Sequence, residues 1–458
     1  METERYVQAR QAQPGRTGYF AGRTVADFGR AMRTGTVTAV GAVEGALASI
    51  AELDADLGAF VTVAPEYALA AARRADAELA AGVDRGPLHG IPVGIKDIIE
   101  VEGLPTTMGS AHFADHVSTV DAECVRRLRT AGAVIVGKTT THEFAYGPFG
   151  DRSANGPSRN PHDPARMSGG SSGGSAVAVA AGMVPVALGT DTGGSVRIPA
   201  ALCGVAGFKP AHGVIPVDGV FPLAPTLDDV GVLARTADDC RVAYRVLADL
   251  PAEPGGPGVD LRRIGWVRPD ALFETDHDIE RLARAALSPV GAEVEEVELP
   301  EAAGMSETYF AIQGSEAYAE HADRVAADAA LFDPEVLDRL KLAAETAGWR
   351  YVRALRDRGR LQNEMSALLS RYDVLALPTT PLVAPPLGAR TTEINGTAVG
   401  VRPAMLSMTS PFNVFGLPAL SVPVGMVGSL PAGLQLVTSP GREDFLFAVA
   451  EKVSAGGH

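Results

Sequence analysis

The chain has 458 residues, 46% hydrophobic and 21% charged, with 55 acidic against 40 basic side chains and a formal charge of −15. That apolar share supports a large buried core and excludes wholesale disorder, and a uniformly acidic chain repels phosphate backbones, so direct nucleic-acid binding is not expected. Cys124, Cys203 and Cys240 are too widely spaced for a zinc site or a disulfide framework and read as buried small hydrophobes.

The opening METERYVQAR lacks the apolar core of an export signal. The longest apolar run, residues 175–189, is too short for a membrane span and contains Pro185. A reducing cytoplasm is therefore the predicted compartment. Residues 37–53 and 66–81 carry Ala, Leu and charge at helical spacing. Next comes GPLHGIPVGIKDIIEVEG, residues 86–103, whose branched apolar residues between glycines predict a buried strand. A helix over 121–131 leads to a strand over 133–136. The run RMSGGSSGGS, residues 166–175, has the composition of a linker. A linker would continue into polar sequence, whereas this run opens into SAVAVAAG, a predicted buried helix. An apolar stretch over 184–188 then feeds the turn GTDTGGS, residues 189–195.

PAEPGGPG, residues 251–258, is the linker candidate. After it, RRIGWV and AEVEEVEL read as strands, 278–287 as a helix and 306–371 as mainly helical. DVLALPTTP, LPALSVPVG and LPAGLQLV supply strands to the tail. Strands and helices mix from end to end, which favours one α/β/α unit over 1–458. Within it, 1–82 holds N-terminal helices, 85–250 the motif-rich core, and 260–458 the part that completes the sheet and the substrate pocket.

Three motif matches fail on context. Residues 132–139, GAVIVGKT, fit the phosphate-loop pattern, but the Ala-Val-Ile-Val interior wants to be a strand, which spends its amides in a sheet. Gly170, Ser172 and Gly174 fit the nucleophile elbow G-x-S-x-G, but the preceding SRNPHDPARM carries two prolines and reads as loop, and His212, His277 and His321 sit in no distinctive setting. His142-Glu143 lacks the second histidine of a zinc motif, since Tyr146 stands there. His142 is expected to be a hydrogen-bonded structural residue.

Lys96 lies inside the apolar stretch IPVGIKDIIEV. A buried ammonium costs several kcal/mol unless it is paired or neutral. Either Asp97 pairs with it, or it stands at an edge, or burial depresses its pKa until it serves as a base. Asp191-Thr192-Gly193-Gly194-Ser195 follows an apolar stretch and precedes another, residues 196–205. Consecutive amides of Thr192, Gly193, Gly194 and Ser195 fit a nest for an oxyanion, with a serine at its end to attack a carbonyl.

GIPVGIKD, GGSSGGSA and DTGGSVRIP together resemble the amidase signature family, with Ser171 and Ser195 at its spacing of 24 positions. The likeness extends through CGVAGFKP and FPLAPTLDDVG and reappears in DVLALPTTP and NVFGLPALSVPVG. The resemblance implies a large twisted mixed β-sheet covered by helices. It implies an amidase that cuts carbon–nitrogen amide bonds without a metal or organic cofactor. It assigns Ser195 as acylating nucleophile, Ser171 as bridging serine on a cis peptide bond, Lys96 as terminal base, and the amides of residues 192–195 as oxyanion hole. Ser172, Asp191 and Arg197 are implied as supports for the loops. Tyr146 is a candidate for the pocket wall, along with residues 141–146, 306–360 and 405–412.

Two functions compete within that family. One is a stand-alone amidase acting on a small amide, with no membrane or direct nucleic-acid contact and a homodimer as candidate assembly. The other is the glutamine-hydrolysing subunit of a tRNA-dependent amidotransferase. The latter typically carries Ala-Ser-Ser-Leu-Asp where this chain has Ala224-Pro225-Thr226-Leu227-Asp228, which favours the first. The predicted substrate is a small neutral or aromatic primary amide.

Overall fold

Runs of branched apolar residues without polar alternation form strands covered on both faces, and they build the centre of this molecule. The computed structural model describes residues 17–251, 260–300 and 302–455. In chain order its strands are β1 (Phe60–Val63), β2 (Pro92–Lys96), β3 (Val134–Thr139), a hairpin of β4 (Arg159–Asn160) and β5 (Asp163–Met167), β6 (Val186–Asp191), β7 (Ala206–Lys209) and β8 (Asp229–Ala234). There follow β9 (Arg263–Val267), β10 (Glu293–Val297), β11 (Val374–Pro378), a second hairpin of β12 (Thr391–Ile394) and β13 (Thr397–Gly400), β14 (Ala419–Val427) and β15 (Leu430–Val437).

Outside the hairpins all of these join one 11-stranded sheet in the order β1-β3-β2-β6-β8-β7-β14-β15-β11-β9-β10. The sheet is mixed. β2 runs parallel to both β3 and β6, and β9 parallel to β10 and β11, while β6–β8 and β14–β15 are antiparallel. β2, β3, β6, β8 and β11 are buried at every position, because helices cover the sheet. The helix Ala39–Leu57 shows how these form. The Thr38 side chain accepts the Gly41 amide at its start, and Gly58, at φ 62°, ends it. Its apolar stripe of Ala39, Ala42, Val43, Ala46, Ile50 and Leu53 is buried against the sheet side.

Several expectations are refined. The strand expected within 86–103 is confined to β2. The stretch over 158–167, expected as loop, forms the β4–β5 hairpin. Pro161 falls in its turn and Pro164 in a two-stranded ribbon, where a missing N–H is tolerated. The apolar segment 196–205 contains the buried helix Arg197–Cys203. Lys138 of the phosphate-loop match is buried within β3, as strand rather than loop. METERYVQAR and residues 252–258 of the linker candidate lie outside the described residues. No described helix is long and apolar enough to cross a membrane.

Candidate active site

The parallel strands β2, β3 and β6 end side by side, with Lys96 in register with Thr139, and Ile95 with Leu188. The carboxyl ends of parallel strands are where open α/β sheets place ligands. Lys96 is the last residue of β2 and fully buried. Its Nζ donates to Ser171 Oγ at 2.7 Å and to Thr190 Oγ1 at 2.7 Å. Burial pulls its pKa down to about 7, against the opposing pull of the Asp191 and Asp228 carboxylates. Asp97, the alternative partner, turns away. Its carboxylate lies 3.3 Å from Lys138 Nζ and accepts from Thr107 Oγ1 at 2.5 Å.

Ser171 follows a cis peptide bond with Gly170, as the resemblance implies. Its carbonyl accepts the His142 amide at 3.1 Å. The next residue, Ser172, opens the helix Gly173–Ala180, and its amide donates to the Ser195 carbonyl at 3.1 Å. Its hydroxyl exchanges hydrogen bonds of 3.2 Å with the carbonyl and amide of Thr190. The two glycine-serine loops are thus tied to each other and to β6. Ser195 is 7% exposed, and its hydroxyl has no hydrogen-bond partner among the described residues.

Asp191 organises the second loop. Its carboxylate accepts the amides of Gly194 at 2.8 Å and Val196 at 3.1 Å, and the Arg197 guanidinium at 3.0 and 2.8 Å. Burial alone would raise the Asp191 pKa; the charge and hydrogen bonds of Arg197 hold it well below the usual carboxylate range. Arg197 is fully buried, and its remaining N–H groups go to the Thr409 carbonyl at 3.0 Å, Gln435 Oε1 at 2.6 Å and Asn413 Oδ1 at 2.6 Å. Such complete satisfaction is what a buried guanidinium requires. Thr192 Oγ1 donates to Asp228 Oδ1 at 2.5 Å, and Asp228 in turn accepts the amides of Leu223 and Ala224.

With the Gly194 amide given to Asp191, the amides of Gly193 and Ser195 have no acceptor among the described residues. Gly193 admits no side chain, because a Cβ there would lie 2.0 Å from the Tyr309 hydroxyl. Tyr309 belongs to the helix Ala302–Asp328, which forms a wall over the loop.

Tyr146 is buried, and its carbonyl accepts a hydrogen bond from Arg339. It lines a cavity of about 790 Å³ together with Thr308, Phe310 and Ala311 of the same long helix. Of the segments expected to shape a pocket, 306–360 supplies most of this lining. His142 departs from expectation: it is fully buried, yet neither ring nitrogen has a hydrogen-bond partner among the described residues. It packs against Phe149 and Gly147, and burial with nearby arginines holds its pKa well below the usual imidazole range, so the ring is neutral.

The sequence reading passed over Thr190, Thr409, Asn413 and Gln435. Asn413 opens the NVFGLPALSVPVG stretch already noted as family-like, and Gln435 is a lone polar residue in an apolar strand. Either signal marks a buried polar group that needs partners. Thr190 and Thr409 carry no such signal. Among the described residues no group of three or more His, Cys, Asp or Glu is placed to hold a metal ion.

The Amidase family model matches residues 41–447, a span that contains Lys96, Ser171 and Ser195. The chain belongs to the Amidase family. It is an enzyme of that family, the amidase signature enzymes, which act on carbon–nitrogen amide bonds. A glutamyl-tRNA(Gln) amidotransferase subunit from Roseiflexus sp. (strain RS-1) is 37% identical over 93% of this chain and 95% of its own. A 1-carboxybiuret hydrolase subunit from Pseudomonas sp. (strain ADP) is 35% identical over 90% and 93%. A crystal structure of an amidase superposes with a TM-score of 0.89 at 35% identity, covering 95% of this chain and 100% of that one. The Amidase fold therefore accounts for the long mixed sheet and for the two glycine-serine loops at its centre.

Proposed function

We propose that the chain hydrolyses a carbon–nitrogen amide bond of a small molecule through an acyl-enzyme on Ser195, with Ser171 and Lys96 relaying protons. The observation that carries this reading is the 2.7 Å hydrogen bond between Lys96 Nζ and Ser171 Oγ, made by a lysine that burial brings to about pKa 7. Neutral Lys96 takes the proton of Ser171 as Ser171 takes that of Ser195. The Ser195 oxygen attacks the carbonyl carbon, and the oxyanion is held by amides of the 192–195 loop, chiefly the uncommitted ones of Gly193 and Ser195. The relay then reverses, giving the leaving nitrogen the proton it needs as the C–N bond breaks. Water repeats the cycle and frees the carboxylate. Asp191 and Arg197 fix the loop, and Ser172 ties it to the first. The reading fits a cytoplasmic enzyme that uses neither metal nor organic cofactor.

A fluorophosphonate probe followed by peptide mass spectrometry tests it. Wild type is labelled at Ser195 and Ser195→Ala is not. Labelling of Ser172 instead would transfer the nucleophile to the elbow motif.

The relatives named as amidotransferase subunits favour a second reading, in which the chain releases ammonia from glutamine inside a larger assembly. The Pro225-Thr226 pair argues for the first. Ammonia release from glutamine, benzamide and acetamide, with and without lysate of the source cell, separates them. Glutamine preferred over both, with a large gain from lysate, selects the second.

A further inference from the structure

Buried carboxylates need partners, and those around the candidate triad are served unequally. Asp191 of β6 is paired with Arg197 at 2.8 Å. Asp229, the first residue of β8, is paired with Lys209 at 2.9 Å and lies 3.0 Å from His212 Nδ1. Its neighbour Asp228 is also buried, yet no cation among the described residues pairs with it. Asp228 has hydrogen bonds alone, from Thr192 Oγ1 at 2.5 Å and from the amides of Leu223 at 2.9 Å and Ala224 at 3.0 Å. Burial raises its pKa and these donors oppose the rise. The two amides can only donate, which suits the ionised form.

Asp228 ends the stretch Ala224-Pro225-Thr226-Leu227-Asp228, and the structure makes that stretch a bracket. Outward, Thr226 gives its amide at 3.0 Å and its hydroxyl at 2.7 Å to Glu316 on the helix Ala302–Asp328. Inward, Asp228 takes the hydroxyl of Thr192, the first residue of the 192–195 loop. Thr190, Thr192 and Asp228 border one cavity of about 10 Å³, which leaves no room for a side chain among them. Thr190 is the residue to which Lys96 Nζ donates beside Ser171.

Two carboxylates oppose the effect of burial on Lys96, Asp191 and then Asp228. His142, from the loop after β3, also feels the Lys96 charge, and its own ring is neutral. Asp228 is faced in turn by Asp229 and by the Tyr309 phenol of the helix Ala302–Asp328. Because Arg197 balances the charge of Asp191, the unbalanced negative charge at Lys96 is that of Asp228.

We propose that Asp228 is a positioning residue for the hydrolysis, holding Thr192 at the head of the oxyanion loop and supplying the counter-charge to Lys96 when Lys96 takes the relay proton. The inference rests on the hydrolase reading above and adds a residue to it. In acylation the Ser195 proton passes to Ser171 and that of Ser171 to Lys96 Nζ. An oxyanion and an ammonium therefore form together in a buried site. Amides of the 192–195 loop meet the oxyanion, and Asp228 meets the ammonium without taking its proton. The relay then returns that proton to the leaving nitrogen, and Lys96 is neutral again.

The test reads Lys96 directly. The lysines of the chain are Lys96, Lys138, Lys209, Lys341 and Lys452, few enough for carbon NMR of ε-13C-lysine protein, with Lys96→Met identifying the Lys96 signal. Its pH titration is paired with the rate at which a fluorophosphonate labels Ser195 at each pH. Asp228→Asn keeps the volume and an oxygen for Thr192 but removes the charge. It is expected to lower the Lys96 pKa by at least about half a unit and to move the acid limb of labelling down equally. Labelling on the alkaline plateau should slow about tenfold. Thr192→Val keeps the charge and loses the tether. It is expected to slow labelling about tenfold with both titrations unmoved, and Thr192→Ser to recover most of the rate. A purely structural role for Asp228 would move neither titration. Asp228→Asn with Lys96 titrating as in wild type overturns the proposal. So does Thr192→Val labelled at the wild-type rate, a result that stands whether or not Asp228→Asn folds. Wild type left unlabelled at Ser195 at every pH would instead remove the hydrolase reading, and the Lys96 titration in Asp228→Asn would still decide the charge contact.

Discussion

The amide of Ser172 donates to the carbonyl of Ser195 at 3.1 Å, a main-chain bond between the two glycine-serine loops in which the hydroxyls of Ser171 and Ser195 have no share. The hydroxyl of Ser195 bonds to no described residue, whereas that of Ser171 accepts from a buried lysine. Removing one is therefore a different physical event from removing the other.

Ser195→Ala is expected to abolish amide hydrolysis with a melting temperature within about 2 °C of wild type, since no folded-state hydrogen bond is lost. Ser171→Ala is also expected to lose activity, and to be less stable by about 1–3 kcal/mol, because a buried donor on Lys96 loses its acceptor. Thermal unfolding beside ammonia release reads both. Equal melting temperatures for the two variants would contradict the hydrogen bond at Ser171.

Lys96 is expected to set the pH profile. With a pKa near 7 it is neutral above that pH and protonated below it. The rate is expected to rise through an acid limb near pH 7 and then hold into mildly alkaline solution. Lys96→Ala should cost several orders of magnitude. Lys96→Arg should not rescue, because a guanidinium stays charged. A nearly active arginine variant would show that the position needs charge instead of a base.

Much of this site was legible in the sequence, and the limit of that legibility is physical. Lys96, Ser171, Asp191, Ser195 and Arg197 stand in short motifs whose composition is dictated by local backbone demands. The architecture of a mixed sheet under helices follows from buried apolar runs such as β2 and β6. What closes the site comes from far along the chain. Asn413 and Gln435 reach Arg197 across 216 and 238 positions. Tyr309 reaches Gly193 from a helix that local pattern alone does not dock. The arginine-lined cavity was missed for the same reason: Arg339, Arg353 and Arg402 look like ordinary solvated charges until three helices bring them together. Context also misled the reading of 158–167, where two prolines hid a hairpin, and of His142, whose ring nitrogens are buried with no hydrogen-bond partner among the described residues, which no sequence signal announces.

The lowered pKa of Lys96 is also a statement about stability. The unfolded chain binds this proton up to the ordinary value of 10.5, the folded chain only up to about 7. Between those values the unfolded state holds more protons, so stability rises with pH across the window. At about 1.4 kcal/mol per pKa unit, keeping Lys96 neutral and buried costs on the order of 5 kcal/mol at pH 7 and nothing above pH 10.5. Lys96→Met, of similar volume, is expected to be more stable than wild type at pH 7. Lost hydrogen bonds to Ser171 and Thr190 offset part of the gain, and the gain should shrink as pH rises toward 10. Denaturant unfolding of both proteins at pH 7, 8.5 and 10 measures it. A gap that stays constant with pH would mean that Lys96 is charged in the folded state.

Gly193 gives the sharpest test of how the loop is built. A Cβ there would lie 2.0 Å from the Tyr309 hydroxyl and 2.6 Å from the ring carbon that bears it, far inside contact distance. Tyr309 cannot swing away cheaply, because it is fully buried and its hydroxyl is bonded to Gln313. The loop must therefore move in Gly193→Ala, and its motion carries the amides of Gly193 and Ser195 with it. A displacement of even 1 Å misaligns an oxyanion hole, which typically costs 100-fold or more in kcat. Gly193→Ala is expected to lose at least that much, with a slower reaction of Ser195 toward fluorophosphonate. The clash has a single identified partner, so Tyr309→Ala in the same chain should restore part of the labelling rate, even though Tyr309→Ala alone gains nothing. This double-mutant cycle separates steric displacement from a general loss of the fold. A double variant no faster than Gly193→Ala would mean that the glycine is required for its backbone conformation and not for the space that Tyr309 occupies.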